Sequence, residues 1–124
     1  GRCTSVCPAN QTGKLLSPRK IMMDTRDRMV EIGKNKFNLE DGKSLLGDYI
    51  TQEEIWACTS CNACVQECPV NIDPLSIIVD LRRYSVMEES TIPTELTGML
   101  TNIENNGAPW QFSPADRMKW TEEN

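Results

Sequence analysis

Apolar residues along this chain recur at helical spacing. Ile21, Met22, Met29, Val30 and Ile32 are interleaved with Arg19, Lys20, Asp24, Asp27 and Arg28, and Ser17-Pro18 supplies an N-cap followed by proline at the first helical position. A helix is therefore predicted from about 18 to 33, where Gly33 weakens it. Residues 34–47 carry Asn35, Asn38, Asp41, Gly42 and Gly47 and read as a polar connection with room for one turn of helix. Thr51 and Glu54 make a capping box, and Ile50 and Ile55 are placed as a hydrophobic staple, so a short helix should run into Cys58. Asp73-Pro74 repeats the cap-plus-proline start. Leu75, Ile78, Val79, Arg82 and Val86 then line one face and Ile77, Leu81 and Tyr84 another, which predicts a central helix. Pro93 opens a fourth helix, with Leu96, Met99, Leu100 and Ile103 on one stripe and Gly107 placed to end it. Ser113-Pro114 starts a fifth that runs toward Asn124 without a stop signal. No segment sustains period-two alternation, so the expected fold class is all-α, with about five helices.

The cysteines change this picture from a helical domain to a metal site. Cys58, Cys61, Cys64 and Cys68, followed by Pro69, spell C-x2-C-x2-C-x3-C-P. Three thiolates at steps of three on a tight loop converge on three irons of one [4Fe-4S] cube. The fourth begins the next turn, where proline ends the backbone pairing, and in two-cluster proteins with this run it serves the other cube. Cys3, Cys7 and Pro8 repeat Cys64, Cys68 and Pro69 at a constant offset of 61 positions. Applied here, the crossed rule gives Cys7, Cys58, Cys61 and Cys64 as one complete set, and Cys3 and Cys68 as half of a second. The two other ligands of that second set are expected immediately before Gly1 and three residues earlier, so the chain reads as a segment of a longer one, cut at both ends, with one cluster or none in the segment itself. Should the second site lack its cluster in air, Cys3 and Cys68 are candidates for a mutual disulfide.

Other chemistries compete less well. Zinc usually takes two C-x2-C pairs across a longer loop, and six cysteines this local do not make a general disulfide framework. A structural or sensing metal module, holding a cluster or zinc without relaying electrons, remains the alternative function. The chain has 18 Asp and Glu against 13 Lys and Arg, with the basic residues scattered, which argues against a nucleic-acid partner. No apolar run approaches the roughly 20 residues of a membrane span. Without a histidine, a serine triad or an isolated carboxylate pair, no catalytic residue is assigned. Gly42-Lys43-Ser44 fails as a phosphate loop because Phe37 stands where glycine is required. The six methionines read as gap-filling core. Trp56, Val70 and Ile72 read as core residues that would also shield a cluster. Arg82 and Arg83 read as a solvated helix face, with docking of an acidic partner as the sharper option. Asn10-Gln11-Thr12 matches a glycosylation sequon, which a reducing compartment leaves unused.

Two cysteine-rich loops separated by about fifty residues of predicted helix resemble the alpha-helical ferredoxin family. This family includes the cluster-binding segments of heterodisulfide reductase and glycolate-oxidase-like iron–sulfur proteins, and the carboxy-terminal half of the succinate dehydrogenase and fumarate reductase iron–sulfur subunit. The stretch Asn105-Asn106-Gly107-Ala108-Pro109-Trp110 resembles a segment that leads, in heterodisulfide-reductase-like members, toward a cysteine-rich catalytic region. The resemblance implies a single dicluster domain over 1–124, two [4Fe-4S] clusters in the parent protein, and an electron-transfer role without a catalytic site of its own. It further implies a flavoprotein or a cysteine-rich catalytic domain or subunit as partner. The expected location is cytoplasmic, with the inner face of the membrane reached through a parent complex.

Overall fold

The computed structural model describes residues 1–122, so the expected run of the last helix to Asn124 ends outside the described residues. The chain divides into two compact units, Gly1–Tyr84 and a second beginning at Ser85. Seven α-helices form among the described residues: α1 (Arg2–Ser5), α2 (Pro8–Gln11), α3 (Pro18–Lys34), α4 (Gln52–Trp56), α5 (Ala63–Gln66), α6 (Pro74–Met87) and α7 (Thr94–Asn106). A 3₁₀ segment follows at Pro114–Thr121. Among the described residues no strand forms beyond a single bridge between Leu46 and Ile50, and no helix is long and apolar enough to cross a membrane. The fold is all-α as expected. The helices beyond the expected five are the four-residue turns α1, α2 and α5 around the cysteines.

The predicted helix starts form as capped ends. Ser17 Oγ accepts from the Lys20 N–H at 3.3 Å, and Asp73 Oδ1 accepts from the Ser76 N–H at 3.0 Å. At α4 the capping box closes both ways, with Thr51 Oγ1 accepting from Glu54 N and Glu54 Oε2 accepting from Thr51 N at 2.8 Å. Gly107 ends α7 at φ +63°, the left-handed geometry that glycine adopts without a Cβ clash. The turn of helix for which 34–47 had room does not form there, and residues 45–50 make a hydrogen-bonded loop. Leu46 and Gly47 have non-helical dihedrals, and Ile50 N–H donates to Leu45 O while Gly47 N–H donates to Ile50 O.

The core lies in the first unit. Leu16, Ile21, Leu46, Ile50, Ile55 and Ile78 are buried together with Cys7 and Ala9, and Trp56, Ile77 and Leu81 pack partly against them. Burying each aliphatic side chain contributes about 1.5–3 kcal/mol. The buried stripe of α3 is not its most apolar stripe: Pro18, Ile21 and Arg28 are buried, whereas Met29 and Val30 are exposed. Arg28 can be buried because its guanidinium makes a fork to Asp41, at 2.6 and 2.8 Å, and donates to Lys43 O at 2.7 Å. That pair fastens the polar connection 34–47 to α3. Lys20 fastens α4 to the same helix, reaching Glu54 at 2.8 Å and Tyr49 O at 3.0 Å. The methionines are not core: Met29, Met87, Met99 and Met118 are exposed, and none of the six is in the buried cluster. Likewise α6 is less central than its two apolar faces suggest. It gives Ile78 to the core, while Tyr84 is exposed.

In the second unit the turn after α6 is closed by Ser85, whose Oγ donates to Thr91 O at 2.7 Å and whose carbonyl accepts from Thr91 N. The Asn-Gly-Ala-Pro-Trp segment folds back on the end of α7. Asn102 Nδ2 donates to Pro109 O at 3.2 Å, and Arg117 Nη2 donates to the carbonyls of Asn106 and Gly107, each at 3.0 Å.

Candidate metal centre

The sequence repeat is also a backbone repeat. α1 and α5 each place a cysteine at their second residue, Cys3 and Cys64, and each ends on a helical residue just before the next cysteine. Cys7 N–H donates to Thr4 O at 3.2 Å, and at the same offset of 61 Cys68 N–H donates to Val65 O at 3.1 Å. Val6 N–H to Arg2 O and Glu67 N–H to Ala63 O, both 3.1 Å, match in the same way. The copies then part. Ten positions separate Pro8 from Pro18 and five separate Pro69 from Pro74, with α2 occupying the extra length. Gly1 precedes α1 where Asn62 precedes α5. Asn62 has φ +65°, a conformation that glycine and asparagine adopt most readily, and a Cβ on Gly1 would lie 3.1 Å from Arg19 Cδ and 3.3 Å from Cys3 Sγ.

α1 packs against α5, so the two cysteine segments meet even though they lie at opposite ends of the first unit's sequence. Two cavities result. The first is lined by Cys7, Cys58, Cys61 and Cys64, with Leu16, Pro18, Leu75 and Ile78 forming apolar wall. The second is lined by Cys3, Cys68 and Cys64, with Met22, Met23, Ile72 and Pro74. Cys64 thus borders both, while Cys7 borders only the first and Cys3 and Cys68 only the second. All six are free thiols, and Cys7 is the buried one. Among the described residues no three metal-binding side chains gather closely enough to hold a single ion. The thiols stand around a cavity instead.

By donor chemistry this site fits a thiolate-ligated cube: four sulfurs from two segments face one space, in a mainly apolar wall. The fit in volume is tight. The first cavity measures about 20 Å³, near the size of one water, and its Cys61 is exposed. The second measures about 160 Å³. The Cys58–Cys64 loop is built for a sharp path, with both Ser60 (φ +55°) and Asn62 in the left-handed region. Such residues cost about 1–2 kcal/mol each and gather at ligand clamps. Backbone amides already point at sulfur: Ser60 N–H to Cys58 Sγ at 3.4 Å and Ile72 N–H to Cys68 Sγ at 3.3 Å. Donors of this kind raise the potential of a bound cluster by favouring its more negative state. The Ala63 N–H, helped by Thr59, holds the Cys61 thiol below its usual range, toward the thiolate that ligates metal. Burial pushes the Cys64 thiol up.

The structure revises several expected roles around these cavities. Trp56 is half-buried against the core as expected, its Nε1 donating to Gln52 Oε1 at 3.1 Å. Val70 is not core; at 70% exposure it stands in solvent. Ile72 is not core either; it is exposed and lines only the second cavity. Arg83 is exposed and paired with Asp80 at 3.0 Å, but Arg82 is no solvated face. Its Nε and Nη2 donate to Ile55 O at 2.9 and 2.7 Å, and Nη2 also reaches Cys58 O at 2.5 Å. The one signal in the sequence was its place on the core-facing stripe of α6, four residues after Ile78.

A helical unit that brings two four-residue cysteine turns together, with thiols around two adjacent cavities, defines an iron–sulfur cluster module. Residues 1–72 match the 4Fe-4S dicluster domain family, and the chain belongs to it. Its cofactor is therefore the [4Fe-4S] cluster, and it belongs with the electron-transfer modules of iron–sulfur oxidoreductases. It is similar to a probable iron-sulfur-binding oxidoreductase, FadF, of Bacillus subtilis: 34% identical, over 99% of this chain and 22% of the relative. It is similar to an EtfAB:quinone oxidoreductase of Syntrophomonas wolfei at 33% identity, over 99% of this chain and 20% of the relative. A polypeptide of a CoB-CoM heterodisulfide reductase of Methanosarcina acetivorans shares 34% identity over 75% of this chain and 47% of that polypeptide. The chain thus spans about a fifth of the length of the first two relatives. No solved structure gives a significant match.

Proposed function

We propose that this chain is the relay segment of a longer oxidoreductase, in which Cys7, Cys58, Cys61 and Cys64 hold one [4Fe-4S] cluster and Cys3 and Cys68 are two ligands of a second. The observation that carries the assignment is the division of thiols between the cavities: Cys7, fifty-one positions before Cys58, lines the space of the Cys58 loop, and Cys68 lines the space of Cys3. When bound, each cluster supplies a one-electron couple. The protein's part is to keep the surroundings fixed as charge changes. Leu16, Ile21 and Ile78 exclude water behind the first site, the Ser60 and Ile72 amides donate to ligand sulfur, and α3 and α4 are tied by Lys20 and Glu54. On this reading a flavoprotein stands on the donor side and a quinone or a cysteine-rich catalytic region on the acceptor side; the name of one relative, an EtfAB:quinone oxidoreductase, supports the quinone. One relative, of Chromohalobacter salexigens, is described as a probable membrane-anchored ferredoxin, which supports work at a membrane; the face proposed here is the cytoplasmic one.

The test is anaerobic purification of the intact protein followed by optical titration. A brown protein with broad visible absorption that bleaches with dithionite and recovers with a quinone analogue supports the relay. A colourless protein with stoichiometric zinc, or a coloured one that dithionite does not reduce, would sink it.

A further inference from the structure

Arg82 lies on α6, yet its guanidinium bonds to the segment that leads into and carries Cys58. Nε and Nη2 share the carbonyl of Ile55 in the last turn of α4, Nη2 also holds the carbonyl of Cys58, and Nη1 reaches Ser60 Oγ at 3.4 Å. The guanidinium carbon lies 5.0 Å from the centre of the Trp56 ring, which fixes the plane of the fork. The bonded groups bracket Cys58 and end at Ser60, whose left-handed backbone makes the turn toward Cys61. One side chain thus holds both ends of this turn. Arginine stays charged throughout the accessible pH range, so the fork places a permanent positive charge on the backbone of a ligand cysteine, at the Cys58 carbonyl.

We propose that Arg82 is a positioning residue of the cluster held by Cys7, Cys58, Cys61 and Cys64, and that its charge raises the potential of that cluster more than that of the second. The inference rests on the ligand assignment above. Two properties of the side chain act separately. The planar fork holds the Cys58–Ser60 backbone in the conformation that presents Cys58 and Cys61, a geometry lysine cannot reproduce because its ammonium is a single point. The charge favours whichever cluster state is more negative, which is the reduced one. Arg83, one residue on and paired with Asp80 in solvent, does neither.

The experiment uses the intact, anaerobically purified protein carrying Arg82→Gln, Arg82→Lys or Arg83→Gln, with each cluster followed by its own paramagnetic resonance signal in a redox titration. The signals are first assigned with Cys58→Ala and Cys68→Ala. Arg82→Gln should lower the midpoint of the Cys58-dependent signal by the equivalent of about a tenfold change in oxidised-to-reduced ratio, ~59 mV for one electron, and shift the Cys68-dependent signal clearly less. Arg82→Lys should keep most of that potential but lose the same cluster to a chelator several-fold faster, and it serves alone should the Gln variant not fold. Arg83→Gln should change neither. Equal shifts in both signals, or an Arg82→Lys protein that holds its cluster as firmly as the parent, would overturn the proposal. If Cys58→Ala abolishes neither signal, the ligand assignment itself fails, and that outcome is distinct from a failure of Arg82.

Discussion

Ile78 belongs to two structures at once, the apolar core and the wall of the four-thiol cavity, and it is only 1% exposed. Ile78→Ala removes three carbon groups. At about 0.8 kcal/mol per buried group the transfer loss is about 2.4 kcal/mol. The void they leave, at ~24 cal/mol per Å³ after partial collapse, adds about 1 kcal/mol. The expected cost is therefore about 3–4 kcal/mol, against about 1 kcal/mol for Ile78→Val. With a urea slope of about 1.5–2 kcal/mol/M, the Ala variant should unfold at a midpoint roughly 2 M lower than the parent. Anaerobic urea titrations read by circular dichroism and by visible absorption give both the helix loss and the cluster loss. They should be compared at matched slopes, because a bound cluster breaks strict two-state behaviour. A cost below about 1 kcal/mol for Ala, or equal costs for Ala and Val, would refute the reasoning, since it would mean that Ile78 is not packed between core and cavity.

Other expectations follow from the same geometry. Thr51→Ala removes the N-cap of α4 and should cost about 1 kcal/mol, read as a lower urea midpoint, because the Glu54 N–H loses its acceptor. The Arg28 fork holds the Asp41 carboxyl at about 2, below its ordinary 3.8. A depressed acid stabilises the fold fully above its unfolded value, so this contribution should persist at neutral pH and disappear as pH falls from about 4 to about 2. Unfolding midpoints measured across that window should flatten in Asp41→Asn, and an unchanged profile would contradict the pairing. Glu54, lowered by its bonds to Lys20 and Thr51 against the cost of burial, should act in the same direction.

The parts of this fold that were legible in the sequence are those fixed by neighbours along the chain. Ser17-Pro18, the Thr51–Glu54 box, Asp73-Pro74 and Gly107 each specify a helix end within four residues, and each forms as expected. The cysteine spacing and its repeat at 61 positions suggested two ligand sets; in the structure Cys7, Cys58 and Cys61 line one cavity, Cys3 and Cys68 the other, and Cys64 borders both. What the sequence concealed depends on partners far along the chain. The period of α3 favoured Met29 and Val30 for the core, but Arg28 is buried instead because Asp41, thirteen residues later, satisfies its charge. Arg82 sat on the predicted core stripe of α6 with nothing to show that the carbonyls of Ile55 and Cys58 would meet it. The short turns α1 and α5 have no side-chain cap to announce them, since Gly1 and Asn62 make none.

The exchange of ligands between the two cysteine segments is tested most directly by paramagnetic resonance of the reduced intact protein in four single variants, Cys3→Ala, Cys7→Ala, Cys58→Ala and Cys68→Ala. Cys7→Ala and Cys58→Ala are expected to leave one and the same residual spectrum with about four irons lost per chain, and Cys3→Ala and Cys68→Ala the other. A spectrum in which Cys7→Ala matches Cys3→Ala, and Cys68→Ala matches Cys58→Ala, would show that each segment serves its own cluster and would contradict the account.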